Sequence, residues 1–240
     1  MLSNHDRLIV SEDDNVFSVN FLRFINEGLE FYKDDPRIYA ICGYGHNIEF
    51  PEDYKHDTYL SHSYVAWGYG IWRDKYMKRD RRVPSVSEIK RKKNKICGRH
   101  NDKEHYRFLL YGAKVGCIPD DSFVTYHLKV NDMYCVFPTL TKVKNIGMDG
   151  SGVHGKSTVL NNRQLSRTID PGLNFKFTPK LTVNEAIMNA INERRKFRIK
   201  NEPIGGKLAR NVSRILPAQL AVWFDNFKLA AKRHRKLLRI

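Results

Sequence analysis

Three consecutive carboxylates, Glu12-Asp13-Asp14, follow a short apolar run, Leu8-Ile9-Val10, after the single residue Ser11. Like charges crowded at the end of a buried strand repel one another unless a cation sits among them. Hard divalent ions such as Mg2+ or Mn2+ take carboxylate oxygens and bridge phosphate oxygens. The triplet therefore reads as a metal–diphosphate site, with Asp14 the leading ligand and Asp13 or Glu12 assisting. In an extended chain Glu12 and Asp14 would point one way and Asp13 the other. The same acids would also serve as a turn or an N-cap before the following helix.

Two further stretches offer binding chemistry. In His62–Asp74, glycines separate Trp67 from Trp72. Gly68 lets backbone approach a ligand closely, and the indole faces can stack on sugar C–H groups. Both tryptophans could equally be core residues. The second stretch runs from Asn145 to His154, where Gly147, Gly150 and Gly152 permit a tight loop. His154 at its end is a candidate metal ligand or phosphate contact, and a histidine beside carboxylates suits Mn2+ better than Mg2+. An ordinary glycine-rich loop would look the same.

Elements must exist to position these groups. Arg7–Val10 is expected to be a strand. A helix should follow, with Phe21, Ile25, Gly28, Leu29 and Tyr32 recurring on one face. Asp34-Asp35-Pro36 stops it, and Ile38–Cys42 reads as a second strand ending at Gly43. This βαβ-like alternation predicts an α/β sheet with a parallel pair. Residues 46–65 read as loop and the basic run Lys75–Arg99 as a solvated linker. A helix over Glu104–Leu110 and a short strand near Lys114–Ile118 should precede the acid pair Asp120-Asp121. Thr182 with Glu185 is a capping-box signature for a helix carrying Ala186, Ile187, Ala190 and Ile191. Pro217 should open a final helix striped with Leu220, Trp223, Phe224, Phe227 and Leu238.

Composition sets the outer limits. The chain has 240 residues, 41% hydrophobic and 28% charged, which fits a folded protein and excludes collagen-like and coiled-coil chains. No apolar run reaches the roughly 18 residues that a membrane-spanning helix needs. No signal-peptide pattern follows Met1, so export is not indicated. Four cysteines (Cys42, Cys97, Cys117, Cys135) stand apart without a CxxC pair and read as reduced thiols of a cytosolic protein. The net charge is +16, and residues 191–240 hold fourteen basic against three acidic side chains, a local excess of +11. Such a tail suits nucleic acid or anionic lipid. No helix-turn-helix, zinc-finger or RNP signature accompanies it, so nucleic acid is the weaker of the two. A helix apolar on one side and basic on the other suits an anionic membrane surface at the inner face of the plasma membrane.

Taken in order over residues 7 to 156, these features resemble the bacterial GT-A-type glycosyltransferases of polysaccharide clusters. The ordered set is a strand ending in EDD, a strand ending in Gly, the Trp-Gly stretch, an acid pair and an NIG-x-D-x-SG-x-H loop. The resemblance implies a mixed α/β sheet with flanking helices, incomplete at its amino end because the nucleotide-binding half that precedes the acids in such enzymes is missing. It implies a catalytic portion over residues 1–178 and a basic helical extension over 179–240. Glu12-Asp13-Asp14 would be the DxD element that holds Mn2+ or Mg2+ on a nucleotide-sugar diphosphate, with His154 a further contact. Trp67, Gly68, Trp72 and Gly152 would line the sugar pocket. Asp121 or Asp120 would take the acceptor proton if the enzyme inverts, the acceptor being a glycan or a lipid-linked hydroxyl. The alternatives are a non-catalytic remnant that binds a partner subunit, or a basic nucleic-acid-binding protein.

Overall fold

A computed structural model describes residues 4–98, 101–147 and 166–200, together with Leu220. His154, Gly152 and the expected helix after Pro217 lie outside the described residues, except Leu220, which is helical and exposed. The strands are β1 (Arg7–Val10), β2 (Asn15–Phe17), β3 (Ile38–Cys42), β4 (Thr58–Ser61), β5 (Tyr69–Trp72), β6 (Tyr134–Pro138) and β7 (Val143–Asn145). The helices are α1 (Phe21–Phe31), α2 (Arg73–Lys78), α3 (Val86–Arg91), α4 (Lys93–Cys97), α5 (Lys103–Val115), α6 (Asp120–Asn131) and α7 (Glu185–Lys200). The protein is a mixed α/β fold. Its main sheet has the order β1-β5-β3-β6-β4, and β2 and β7 form a separate two-stranded ribbon.

The sheet is mixed because one strand enters it against the others. β1 and β3 run in the same direction, as the sequence suggests, but β5 lies between them and is antiparallel to both. The parallel neighbours are instead β3 and β6. Both faces of the sheet are covered. On one, α1 buries Phe21, Phe24, Ile25 and Leu29 against Ile38, Ile41, Leu60 and Val136. Each such side chain contributes about 1.5–3 kcal/mol when fully buried. On the other face, Val124 and Leu128 of α6 and Ile187, Met188 and Ile191 of α7 pack on Tyr39, Tyr59 and Phe137. The start of the basic extension thus belongs to the core of the body.

Several expectations need correction. The basic run Lys75–Arg99 is no linker: its described part holds α2, α3 and α4, because Ile89 and Ile96 insert into a satellite core with Leu109, Ile118 and Phe123. Ser85 and Glu88 form the capping box that starts α3. No strand forms near Lys114–Ile118. The α5 helix continues to Val115 and Gly116 ends it in the left-handed conformation, at φ 74°. Residues 46–65 contain β4, which is hidden from a patterning argument because all four of its residues are buried. The helix over 185–200 exists, but Asn184 rather than Thr182 caps it, accepting from the Ile187 amide at 3.1 Å.

Candidate functional site

The carboxyl ends of β1, β3 and β6 lie along one edge of the sheet, and the acids sit there. β1 stops at Val10, opposite Tyr69 of β5. Residues 13 and 14 then turn, so the triplet does not alternate as an extended strand would. The turn is required because Asn15 must pair with Asn145 in the β2–β7 ribbon. Glu12 and Asp13 are exposed, and Asp14 is half-buried.

That ribbon brings the two loops together across 131 positions of sequence. The Asn145 side-chain amide donates to Asp14 Oδ1 at 2.6 Å, and the Ile146 amide donates to the Asp14 carbonyl at 2.8 Å. A Cβ placed on Gly147 would overlap the Asp14 carboxylate, so glycine is what permits this approach. One Asp14 oxygen is thereby oriented by a neutral donor, which brings no countercharge to it. Hard oxygen ligands of this kind fit Mn2+ or Mg2+. Among the described residues no group of three or more His, Cys, Asp or Glu is arranged to enclose an ion. Mg2+ commonly binds through only one or two carboxylates, with phosphates and water completing its shell, so an open donor set fits an ion that arrives with a diphosphate.

The two tryptophans part company. Trp67 is half-buried, with its ring edge-on to Tyr44 at 5.2 Å and 89°. Tyr44 follows β3 at the same edge of the sheet, and Arg167 lies over its ring at 5.4 Å. Gly68 accepts from the Gly43 amide at 2.8 Å, and at φ 70° a side chain there would meet Phe17 and Phe21. Trp72 is buried in the core, with the Lys75 ammonium 4.1 Å from its ring. It pairs with Arg7 at the other end of β5, three strand positions or about 10 Å from Tyr69.

The acid pair opens α6. Asp120 and Asp121 occupy its first turn, at the carboxyl edge, where the exposed helix amides favour negative charge. Asp120 accepts an ion pair from Arg79 at 3.0 Å. Asp121 is exposed at the start of the helix. The surrounding protein, followed by the charges of Asp120 and Glu12, raises its carboxyl to about 6. The influence of Glu12 places the two acid groups in one field, although 109 residues separate them in sequence.

Asn145, Tyr44 and Arg79 carry roles here that spacing alone did not assign. For Tyr44 a signal existed: an aromatic flanked by Gly43 and Gly45 at the end of a strand. Asn145 was visible only as part of a loop and Arg79 only as one member of a charge run. A cleft of about 630 Å3 lies elsewhere, between α4, α6 and α7 and lined by Asp102, Lys129 and Arg195. Lys129 and Arg195 both pair with Asp102 there, so size alone does not make it the reactive site. No protein-family model matches the chain, and no curated protein matches it.

Proposed function

We propose that this chain is a metal-dependent glycosyltransferase of the GT-A type, or the acid-bearing portion of one. It would transfer a hexosyl group from a nucleoside-diphosphate sugar to a hydroxyl of a glycan or lipid-linked acceptor. One observation carries the reading: the carboxyl edge of the sheet gathers Glu12-Asp13-Asp14, the Asn145–Gly147 turn, Trp67 and Asp121. A bound Mn2+ or Mg2+ would supply charge compensation for the departing diphosphate. Asp14 would hold it, oriented by Asn145, with Asp13 or Glu12 assisting. Trp67, held edge-on against the buried Tyr44, would present ring surface to the sugar. Asp121 would accept the proton of the acceptor hydroxyl as oxygen attacks the anomeric carbon. A carboxyl raised to about 6 is well matched to that role near neutral pH.

The test is paramagnetic. Mn2+ added with uridine or guanosine diphosphate should broaden the amide signals of Asp13, Asp14, Ile146 and Gly147, and Asp14→Ala should abolish the effect. If the wild-type signals stay sharp, or the substituted protein broadens equally, the metal–diphosphate reading fails. A partner-binding remnant or a nucleic-acid-binding protein would then be preferred. Among the described residues no helix is long and apolar enough to cross a membrane. An acceptor on a lipid would accordingly be met at a membrane surface, for which the basic residues after position 191 supply attractive charge.

A further inference from the structure

Arg79 is an unusual arginine. It follows α2, and its side chain is only 5% exposed. Nη2 donates to Asp120, whereas Nε and Nη1 are buried with no hydrogen-bond partner among the described residues. Its guanidinium lies 5.8 Å from the ring centre of Tyr76 and 5.7 Å from that of Phe123. Tyr39 and His127 also lie within its field. A guanidinium does not lose its proton in a protein, so the charge must be balanced by an anion. The one carboxylate paired with it among the described residues is Asp120.

Protonating Asp120 would therefore strand a buried cation, whereas protonating Asp121 would not. Among the described residues no ion pair or hydrogen bond holds the Asp121 carboxylate. We propose that Arg79 is a positioning residue that commits Asp120 to a permanent ion pair at the start of α6 and leaves Asp121 as the carboxylate of that turn free to exchange a proton. The inference deepens the proposed transferase reading in one respect only: the exchanged proton would be the acceptor's. The charged groups acting on Asp121 are Asp120 of its own helix and Glu12 from the loop after β1. Arg79, packed from the segment after α2, acts through Asp120.

Carbon-13 labelling of aspartate carboxyls gives a readout that needs no donor, acceptor or metal. The Asp121 signal, assigned by its loss in Asp121→Asn, should titrate well above ordinary aspartates, with no shared step in the Asp120 signal. Asp120→Asn should move the Asp121 step down by about one pH unit, because it removes a neighbouring negative charge. Arg79→Lys should preserve the wild-type curves. Arg79→Gln should make Asp120 and Asp121 titrate as one coupled pair with two broadened steps. If Arg79→Gln fails to fold, Asp120→Asn and Arg79→Lys carry the test. Curves already coupled in the wild type, or an Asp121 step unmoved in Asp120→Asn, would overturn the proposal. These titrations can succeed while the metal-broadening experiment fails, so the two readings fail separately.

Discussion

Two charged regions of this protein, at opposite edges of the sheet, treat their charges in opposite ways. At the amino edge, Asp102 is 7% exposed and caps α5 by accepting from the His105 amide. Lys129, at 2.7 Å, and Arg195 both pair with it. Burial alone would raise the Asp102 carboxyl, but Arg195 and then Lys129 hold it far below the ordinary range. Burial likewise pulls the Lys129 ammonium down. We read the pair as charged, because two cations face one carboxylate. At the carboxyl edge, burial and then the like charges of Asp120 and Glu12 act on Asp121, which is raised rather than lowered. A cluster that satisfies itself holds the fold together. A carboxyl raised by its neighbours, as Asp121 is, is poised to take up or give away a proton near neutral pH.

The comparison can be broken most forcefully at the amino edge. Asp102→Ala removes a cap and strands two cations, and should cost about 3–5 kcal/mol in urea unfolding. A cost below about 1 kcal/mol would mean that the pairing is incidental. The next effect is one of pH. Burial, followed by Lys129 and Arg195, lowers His105 to about 3, so it is neutral in the folded protein. The unfolded chain binds that proton at about pH 6.5, which gives the sign: the contribution is complete above about 6.5 and is lost as pH falls toward 3. The loss should be on the order of 2–4 kcal/mol, read as a falling urea midpoint, and His105→Asn should flatten that slope.

The carboxyl edge should respond in binding rather than in folding. Gly147→Ala pushes a methyl into the Asp14 carboxylate and should weaken Mn2+-dependent diphosphate binding about tenfold, near 1.4 kcal/mol. The unfolding midpoint should barely move, so a large stability loss would show that the loop is a structural brace instead. The smallest effect should be a gain. Because the folded Asp121 carboxyl is raised, its ionised form destabilises the native state as pH climbs through about 6. Asp121→Asn should therefore raise the melting temperature at neutral pH, leave it unchanged near about pH 4, and abolish sugar transfer. Stability that rises together with retained transfer would remove Asp121 from the chemistry.

Much of this was legible in the chain itself. The helix over Phe21–Phe31 could be read because Phe21, Ile25, Gly28 and Leu29 recur at its own period. The strand leading into Glu12-Asp13-Asp14, the strand ending at Gly43 and the presence of an acid pair are equally local facts. The helices within Lys75–Arg99 were not legible, because each is only five or six residues long and buries a single side chain. Their apolar period never completes, and the dominant signal is exposed charge. The start of α6 was obscured by Pro119-Asp120-Asp121, which suits a turn as well as a first helical turn.

Residue types and their order therefore determined which groups could bind a cation or a proton, since that chemistry belongs to each side chain. Only the tertiary structure decided which of them meet. Asn145 reaches Asp14 because β2 pairs with β7, and Glu12 influences Asp121 because β1 ends and α6 begins at one edge of a sheet whose order is not the order of the chain. Tryptophans with the same chemistry separate into a half-buried ring beside Tyr44 and a buried one under Lys75, because Trp67 precedes β5 whereas Trp72 ends it. Pairing across the sheet is a long-range choice made by the whole core, and no window of local sequence contains it.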